Sequence, residues 1–388
     1  MAETMPLAPW LKRNDLRALI TALGEGNARY VGGAVRDTLL GLEVNDIDVA
    51  TPLVPDDVIA RLTASDIRSV PTGIDHGTVT AILSGGPVEI TTLRHDVSTD
   101  GRRATVAFAQ DWREDAARRD FTINALYADP STLEIHDFFG GMDDLKKRHV
   151  RFIGDARQRI REDHLRILRY FRFQARFGSQ PADSEAEASC SELAATLKGL
   201  SRERVGMETM HLLALPDPAP TVARMAELGV LTVILPEAEP EALARLVAEE
   251  HRQGIAPDPI RRLAALLPAD EVLAGQVAAR FRMSRAQKQR LVTAAARSGT
   301  AGPARALAYR LGREQALDRL LIAGEDTSPL NNWEIPTFPL KGGQIVARGV
   351  KAGPEIARML QVVEAQWVDE GFPSEERILA LLDETLAA

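Results

Sequence analysis

The pattern of apolar residues changes at about residue 155, and this change limits the fold more than any other feature of the chain. From about Ala28 to Ile153, short segments rich in β-branched residues alternate with helix-like segments. From about Asp155 onward, apolar residues recur at helical spacing, interrupted by Pro and Gly. The chain is therefore predicted to join an α+β N-terminal region to an all-α remainder.

Length and charge point to more than one domain and to one polyanion site. A chain of 388 residues rarely forms a single core. The net charge of −8 argues against a protein that coats nucleic acid non-specifically. Lys146 to Arg176, however, holds eleven Lys or Arg and three Asp or Glu, a local net charge of +8, which leaves −16 for the rest. Such a basic segment in an acidic protein indicates a site for a polyanion.

Cysteine content and hydropathy bear on the compartment. The single cysteine, Cys190, excludes an intramolecular disulfide framework and a cysteine-rich metal site. No apolar run approaches the ~20 residues of a membrane helix, and the N-terminal MAETMPLAPW lacks a signal-peptide pattern. A cytoplasmic protein without a membrane partner is expected, and the sequence carries no indication of its oligomeric state.

Two carboxylates, Asp46 and Asp48, flank Ile47 in the segment NDIDVAT. On a β-strand alternate side chains share a face, so both acids would project together while Ile47 enters the core. Carboxylates this close repel each other unless a cation lies between them, and Mg²⁺ favours one or two carboxylates together with substrate phosphates. Taken alone, the pattern is more often a solvated strand face than a metal site.

The preceding segment VGGAVRD strengthens the metal-site interpretation. It places Gly32 and Gly33 between a predicted strand and a predicted helix, with Arg36 about one turn later. Glycines there let the backbone approach a ligand, and the N–H groups at a helix start attract phosphate. Arg36 would add a charged fork for the same phosphate. Together with the two acids, the segment predicts a triphosphate site beside a metal, suited to transfer onto a 3′-hydroxyl.

A two-metal site usually needs a further carboxylate. Glu89, in the strand-like VEITTLR, is the better placed candidate, and Asp120 is the second. Asp120 belongs to the segment RRDFTIN, whose Arg119 either belongs to a helix cap or contacts the ribose or phosphate of a nucleotide. The segment alone leaves both interpretations open.

Arginine recurs every third residue in EDHLRILRYFRF, at Arg166, Arg169 and Arg172, after the acid Asp163. A helix through this segment turns ~100° per residue and would hold Asp163, Arg166 and Arg169 within an arc of ~120°. An exposed helix with i,i+3 salt bridges is the commonest origin of such a pattern. Three arginines exceed the one or two nearby acids, so the surplus charge is expected to meet a phosphate or nucleic acid or to stay solvated.

Five motifs follow one another over about residues 28 to 210: VGGAVRDTLLG…NDIDVAT, RRDFTINAL, FFGGMDDLKKRHVRFIGD, EDHLRILRYFRF and SRER. Their order resembles the bacterial CCA-adding tRNA nucleotidyltransferases and related poly(A) polymerases, of the DNA polymerase beta superfamily. A weaker match, KGGQIVARGVKAGPEIARML, resembles the tail of these enzymes. The resemblance implies an α+β fold: a polymerase-beta-like nucleotidyltransferase head at 1–153, a helical neck with the templating helix at 154–215, and a helical, tRNA-binding body and tail at 216–388.

The resemblance also implies roles for the matching residues. Asp46 and Asp48 match the catalytic pair that binds metal, and Mg²⁺ is the implied cofactor. The residues that match nucleotide contacts are Gly33, Arg36, Arg119, Asp163, Arg166, Arg169 and Arg172. Gly140 to Leu145 resembles the hinge between head and neck, and Asp96 to Gln110 is expected to form a flexible loop that governs the change from C to A addition.

Asp163 and Arg166 match a pair that selects the incoming base without a nucleic-acid template. Cytosine and adenine present an amino donor beside a ring-nitrogen acceptor, which a carboxylate and a guanidinium complement. Uracil and guanine reverse this pattern and would leave buried groups unpaired. The implied activity is the addition of C, C and A to the 3′ end of tRNA from CTP and ATP.

Three alternatives are kept. Bacterial poly(A) polymerases of this family usually have a longer, basic C-terminus, whereas this chain ends in EERILALLDETLAA. An enzyme that adds only CC or only A would carry the same motifs. An inactive RNA-binding protein with this fold would not be expected to retain both Asp46 and Asp48.

Overall fold

The computed structural model describes residues 3–100, 103–297 and 303–387. They form two compact units, the first comprising residues 1–201 with Arg224–Ile234, and the second Arg202–Ala223 with Leu235–Ala388. The boundary at Ser201 falls inside the predicted neck. The predicted limits of head, neck and body at residues 153 and 215 stay predictions.

The first unit is built on a mixed β-sheet. The strands in the described residues are β1 Arg29–Val31, β2 Asp48–Thr51, β3 Ser69–Gly73, β4 Thr78–Leu83, β5 Gly86–Thr92, β6 Arg94–Asp100, β7 Arg103–Phe108, β8 Leu126–Ala128 and β9 Ile135–Asp137. Within those residues, seven of them form one sheet in the order β3-β4-β5-β2-β1-β8-β9. In this sheet β2 pairs parallel with β5 and antiparallel with β1. The pairing brings two segments about forty residues apart in sequence side by side.

Helices make up most of the rest of the chain. In the part of the chain that the structure describes, they are α1 Asn14–Leu23, α2 Gly33–Leu39, α3 Pro55–Ala64, α4 Trp112–Ala117, α5 Gly141–Lys146, α6 Ala156–Glu162, α7 Arg166–Phe177, α8 Ser184–Glu192, α9 Arg202–Leu213, α10 Ala219–Glu227, α11 Val230–Ile234, α12 Pro240–Gln253, α13 Pro259–Leu266, α14 Glu271–Arg280, α15 Arg285–Ala295, α16 Ala304–Leu311, α17 Arg313–Ala323, α18 Gly342–Val346, α19 Pro354–Asp369 and α20 Glu375–Ala387. The predicted α+β class, with helices throughout the second half, is confirmed.

Local sequence explains where many of these helices begin. Asp183 precedes α8, and its side chain accepts a hydrogen bond from the Ala186 backbone N–H at 2.7 Å. Ser284 and Gln287 form a reciprocal capping box at the start of α15. Both arrangements satisfy N–H groups that have no partner inside the helix. These two helices are therefore initiated by short-range signals that the sequence displays.

Aromatic rings attach α7 to the RRDFTIN segment. Phe121 packs against Phe152 and Phe173 with ring centroids 5.0 Å apart in both pairs, and Phe152 stacks on Tyr170 at 5.8 Å. These rings are almost fully buried, so they contribute both apolar burial and favourable ring contacts. The arginine-bearing helix is thereby fixed relative to Asp120, the neighbour of Phe121.

The second unit has a buried network of charges in place of a purely apolar interior. Glu250 on α12 accepts hydrogen bonds from Arg261 (2.7 Å) and Arg262 (2.8 Å) on α13. Asp318 on α17 accepts from Arg261 (2.9 Å) and from Arg290 on α15 (2.7 Å). Glu250, Asp318 and Arg262 are fully buried. This network links four helices of the unit.

Strands β6 and β7 form an antiparallel ribbon over part of the segment from Asp96 to Gln110. The expectation of a loop there is wrong for the described residues, because the pairing from Arg94↔Phe108 to Asp100↔Arg103 is nearly continuous. Residues 101 and 102, which fall in the same expected loop, lie outside the described residues.

In the described ranges, no helix combines the length and the apolar character needed to span a bilayer.

Candidate active site

Three carboxylates lie where β2 begins beside β5, a place called the β2–β5 edge or carboxylate edge below. Asp48 is the first residue of β2 and lies directly opposite Glu89 of β5 in the parallel register. Asp46 precedes the strand and is exposed, whereas Ile47 is buried, as the alternation predicted. The expectation that Asp46 itself lies in a strand is wrong, since pairing begins at Asp48. The parallel register makes Glu89 the neighbour of the predicted catalytic pair.

The electrostatics of this edge favour a cation. Burial raises the pKa of Asp48 to about 6, and the neighbouring charges of Glu89 and Asp46 act in the same direction, with Arg119 opposing them. Among the described residues no three His, Cys, Asp or Glu side chains are grouped so that they alone could hold a metal ion. Carboxylates this close to one another fit a hard cation that takes the rest of its oxygen shell from a substrate or water, and Asp46 and Asp48 stay its predicted protein ligands.

Asp120, the other candidate for a third metal carboxylate, is already engaged. One carboxylate oxygen accepts from the Phe121 backbone N–H (2.9 Å) and the Asn124 amide (3.0 Å), and the other accepts from the Arg169 Nε at 2.8 Å. Burial alone would raise the pKa of Asp120, but Arg169 and these hydrogen bonds outweigh it and lower the pKa to about 2. Of the two candidates, Glu89 is the one placed beside Asp48.

The glycine turn lies close to Arg119. Gly32 adopts a φ of 69°, which L side chains rarely take, and α2 starts at the next residue, Gly33. A Cβ atom placed on Gly32 would stand 3.5 Å from the Arg119 guanidinium. The predicted phosphate turn and the predicted nucleotide-binding arginine are thus brought together, and Arg119 is also near enough to Asp48 to influence its charge.

Arg36 holds protein partners in this structure. Its guanidinium is buried, donates to Asp37 (2.7 Å) and to the Asn124 side chain, and lies 4.2 Å from the ring centroid of Phe177. Burial lowers the pKa of Arg36, which Asp37 partly offsets. The contact of Arg36 with a phosphate stays a prediction, while its position beside the glycine turn agrees with that of a phosphate-site residue.

Asp115 is a site residue that sequence reasoning missed. It is buried and accepts hydrogen bonds from Arg118 (2.8 Å), Arg119 (3.1 Å) and the Tyr127 hydroxyl (2.7 Å). Trp112 packs edge-on against Tyr127, with centroids 5.7 Å apart. The acid lies three and four residues before the two arginines, a helical spacing that signals such pairs. Asp115 therefore fixes the direction of the Arg119 side chain.

Asp163 does not lie on the arginine-bearing helix. It follows α6 with an extended backbone (φ −148°, ψ 105°), and α7 begins only at Arg166. The expectation of one helix from Glu162 to Phe173 is therefore wrong. The Asp163 side chain accepts from the Leu165 N–H (3.1 Å), and its carbonyl accepts from the Arg166 N–H (3.0 Å), local bonds that compete with helix continuation. Asp163 and Arg166 consequently bracket the tight connection between two helices.

Arg166 contacts the backbone of the RRDFTIN segment. It donates to Glu162 (2.6 Å), to the Arg159 carbonyl (2.8 Å) and to the Arg118 carbonyl (3.3 Å). Arg159 donates to the Arg119 carbonyl at 2.6 Å. The start of α7 is therefore attached to the Arg118 backbone through Arg166, and α6 is attached to the Arg119 backbone through Arg159.

The remaining two arginines of the EDHLRILRYFRF segment, Arg169 and Arg172, lie on α7. Arg169 binds Asp120, and Arg172 lies 4.9 Å from the centroid of the Phe173 ring. Part of the positive charge that the sequence left unbalanced is thus matched by Asp120, which is about fifty residues away in sequence. Spacing along one helix gives no sign of such a partner.

Comparisons with known proteins agree with this geometry. Residues 28–151 match the family model described as the poly A polymerase head domain, and residues 183–241 match a probable RNA and SrmB binding site of polymerase A. The chain is 34% identical over 378 residues to the mitochondrial CCA tRNA nucleotidyltransferase 1 of Homo sapiens, which covers 92% of this chain and 86% of the relative. It is 39% identical over 209 residues to the CCA-adding enzyme of Geobacillus thermodenitrificans, 53% of this chain and 50% of that enzyme.

Solved structures show the same fold. The Bacillus stearothermophilus CCA-adding enzyme in complex with CTP superposes with a TM-score of 0.79 at 26% identity, covering 98% of this chain and 99% of that one. The Thermotoga maritima CCA-adding enzyme, solved with tRNA, has a TM-score of 0.71 at 22% identity, covering 98% and 96%. With the carboxylate edge, the glycine turn and the arginine-bearing helix, these likenesses show that the chain belongs to the family of CCA tRNA nucleotidyltransferases and poly(A) polymerases.

Proposed function

We propose that this protein completes the 3′ end of tRNA by adding C, C and A from CTP and ATP, with release of pyrophosphate. The observation that carries the proposal is the Asp48–Glu89 register, which sets a charged carboxylate edge near the glycine turn and Arg119. Relatives that cover most of the chain are named CCA tRNA nucleotidyltransferases, which supports the same reaction and the same substrates.

Asp46 and Asp48 would hold the metal. Glu89 lies close enough to Asp48 for its negative charge to act on the same cation. Mg²⁺ bound there would activate the tRNA 3′-hydroxyl and stabilise the leaving pyrophosphate. The glycine turn offers backbone N–H groups at the start of α2 to the triphosphate. Arg119, oriented by Asp115 and Tyr127, contributes positive charge at the same place.

Base selection is assigned to Asp163 and Arg166. A carboxylate that accepts from an exocyclic amine, beside a guanidinium that donates to a ring nitrogen, matches C and A and mismatches U and G. The tight connection between α6 and α7 supports this role, because its backbone hydrogen bonds hold the two residues in one fixed arrangement. Fixed donors and acceptors select better than mobile ones.

The helical body and tail are proposed to hold the tRNA, and the cytoplasm is proposed as the place of action. Fractionation of cells that express the tagged full chain tests the location. Recovery of the protein in an organelle or membrane fraction would contradict it.

One assay tests the reaction against its rivals. Purified protein is incubated with tRNA that lacks CCA, first with each labelled NTP alone and then with CTP and ATP together. We expect incorporation that stops after three nucleotides and requires Mg²⁺. Long A tails would identify a poly(A) polymerase, addition of only CC or only A would identify a partial enzyme, and no incorporation would identify an RNA-binding protein.

Two variants separate catalysis from selection. Asp46→Ala is expected to abolish transfer while tRNA binding, measured by filter binding, stays close to that of the parent. Asp163→Ala is expected to lose chiefly the discrimination of CTP and ATP against UTP and GTP. Full retention of selectivity by Asp163→Ala would refute its templating role.

A further inference from the structure

Asn124 joins the two ends of the nucleotide site. Its side-chain oxygen accepts from Arg36, the arginine beside the glycine turn, and its amide N–H donates to Asp120 at 3.0 Å. Asp120 in turn accepts from Arg169 of α7 with its other oxygen at 2.8 Å. A continuous chain of hydrogen bonds, Arg36–Asn124–Asp120–Arg169, therefore runs from the glycine turn to the arginine-bearing helix.

The chemistry of this chain requires, at its centre, a group that both accepts and donates a hydrogen bond. Arg36 has only donors to offer, and the Asp120 carboxylate has only acceptors. A residue between them must accept on one side and donate on the other, which Asn does with a single planar group. Arg36, Asn124 and Asp120 are all less than 10% exposed, so water does not readily replace a lost bond.

We propose that Asn124 is a positioning residue that fixes the position of the Arg169 guanidinium relative to the glycine turn. The sites for the base and for the triphosphate of one nucleotide then keep a fixed distance and orientation. This inference rests on the proposed function, because it concerns the same nucleotide site. Asn124 acts through Asp120 and Arg36 and does not itself contact the nucleotide. The low pKa of Asp120, held at about 2 mainly by Arg169 against the effect of burial, agrees with a permanently charged link between Asn124 and α7.

Two substitutions divide the chain of hydrogen bonds at different places. Asn124→Ala removes both links. Asn124→Asp keeps the acceptor for Arg36 but replaces the donor with a carboxylate that faces Asp120, so it breaks only the link towards Arg169. Asn27→Ala is the matched control, since Asn27 lies in the same unit. Among the described residues, its amide donates only to the Leu23 carbonyl.

The experiment measures kcat and KM for CTP and ATP on tRNA acceptors, and the Kd of CTP by calorimetry. For Asn124→Ala and Asn124→Asp we expect KM and Kd to rise about tenfold, the loss typical of a buried hydrogen bond. The value of kcat should change less than about threefold, and Asn27→Ala should resemble the parent. In the Arg169→Ala background, Asn124→Ala should raise the CTP Kd by a smaller factor than it does in the parent, because the part of its effect that passes through Arg169 is already lost.

The outcomes are distinguishable. An Asn124→Ala effect on Kd that is undiminished in the Arg169→Ala background overturns the inference, and so does a lowered melting temperature with unchanged KM. If Asn124→Ala does not fold, Asn124→Asp carries the same test, and parent-like KM and Kd for it overturn the inference. A parent enzyme that binds CTP but transfers nothing to tRNA contradicts the proposed function instead, while the CTP Kd values still decide the role of Asn124.

Discussion

Asp48 illustrates how a residue with a predicted catalytic role can be unfavourable for folding. The folded chain raises its pKa from 3.8 to about 6, chiefly by burial and then through Glu89 and Asp46. Above pH 6 the folded protein must therefore keep a charge that burial disfavours. Below about pH 3 the carboxyl is largely neutral in both the folded and unfolded states, and this cost disappears.

We expect Asp48→Asn to abolish nucleotide transfer and to stabilise the metal-free protein at pH 8. A pKa difference of ~2 units, reduced because the site is partly open to solvent, corresponds to a gain of about 1–2 kcal/mol in the free energy of unfolding. Urea titrations in EDTA at pH 8 and pH 4 measure the gain, which should be several-fold smaller at pH 4, where the folded carboxyl is neutral and the unfolded one is only about half ionised. Glu25→Gln, at an exposed acid in a turn, serves as the control. A gain of equal size at both pH values would contradict the assigned cause.

At single positions the sequence indicated which residues lie together. Residue types and spacing indicated Asp46 and Asp48, the family resemblance added Arg119, and the structure places all three around the glycine turn or the β2–β5 edge, while their chemical roles stay predictions. In the structure Asp163 lies outside α7, because its own local hydrogen bonds end α6. Such competition between side chain and backbone depends on small differences in local geometry, which periodicity does not record.

The element α5 depends on a close approach that only glycine permits. A Cβ atom on Gly141 would lie 2.9 Å from the Thr122 carbonyl carbon and closer still to its oxygen. Thr122 also donates to Asp144 of α5 at 2.6 Å, so the helix is held against the RRDFTIN segment by both packing and a hydrogen bond. The segment resembling a hinge between head and neck is thus tightly packed at its first helical residue.

We expect Gly141→Ala to lower the free energy of unfolding by about 1–3 kcal/mol, the usual cost of overpacking against a rigid backbone. Chemical denaturation measures the change. Gly199→Ala is the matched control, since nothing lies within 4 Å of its added Cβ, and it should remain within about 0.5 kcal/mol of the parent. Equal effects from the two substitutions would show that the contact with Thr122 does not limit α5.

Elements were predictable where their signals are local. Strand β2 falls within the strand-like segment NDIDVAT, β5 overlaps the strand-like segment VEITTLR, and β1 precedes the glycine turn as predicted. Strands β3 and β9 were not predicted, since SVPTG contains a proline and a glycine and IHD is only three residues long. Both lie at the edges of the large sheet, where pairing with a distant neighbour decides the conformation.

On the scale of the whole molecule, both units combine apolar clusters with buried charges. The first buries Arg36, Asp115 and Asp120 beside its aromatic and aliphatic packing, and the second contains the buried network of Glu250, Asp318 and three arginines. Arg262 also donates to the carbonyls of Leu213 and Pro216. Removal of one charge from such a network leaves its partner buried and uncompensated.

Glu250→Gln is expected to destabilise the protein by about 3–5 kcal/mol, because Arg261 and Arg262 lose a buried counter-charge. Differential scanning calorimetry measures the loss, and Glu241→Gln, at an exposed acid on the same helix, is the control. The predicted nucleotide contacts all belong to the first unit, so the Kd of CTP for the folded variant should be unchanged. A weakened CTP affinity without loss of stability would contradict both expectations.

The position of Trp112 makes the nucleotide site visible to fluorescence. The centroid of its ring lies 4.2 Å from the Arg29 guanidinium, and the ring packs edge-on against Tyr127. The Tyr127 hydroxyl donates a hydrogen bond to Asp115 and accepts one from the Arg119 Nε at 3.2 Å. Trp333 and Trp367 belong to the other unit, and Trp10 packs against Tyr30. A triphosphate that draws Arg119 away from Tyr127 would therefore alter chiefly the emission of Trp112. CTP titrations of the parent and of Trp112→Phe would then read the state of one arginine optically, without a label.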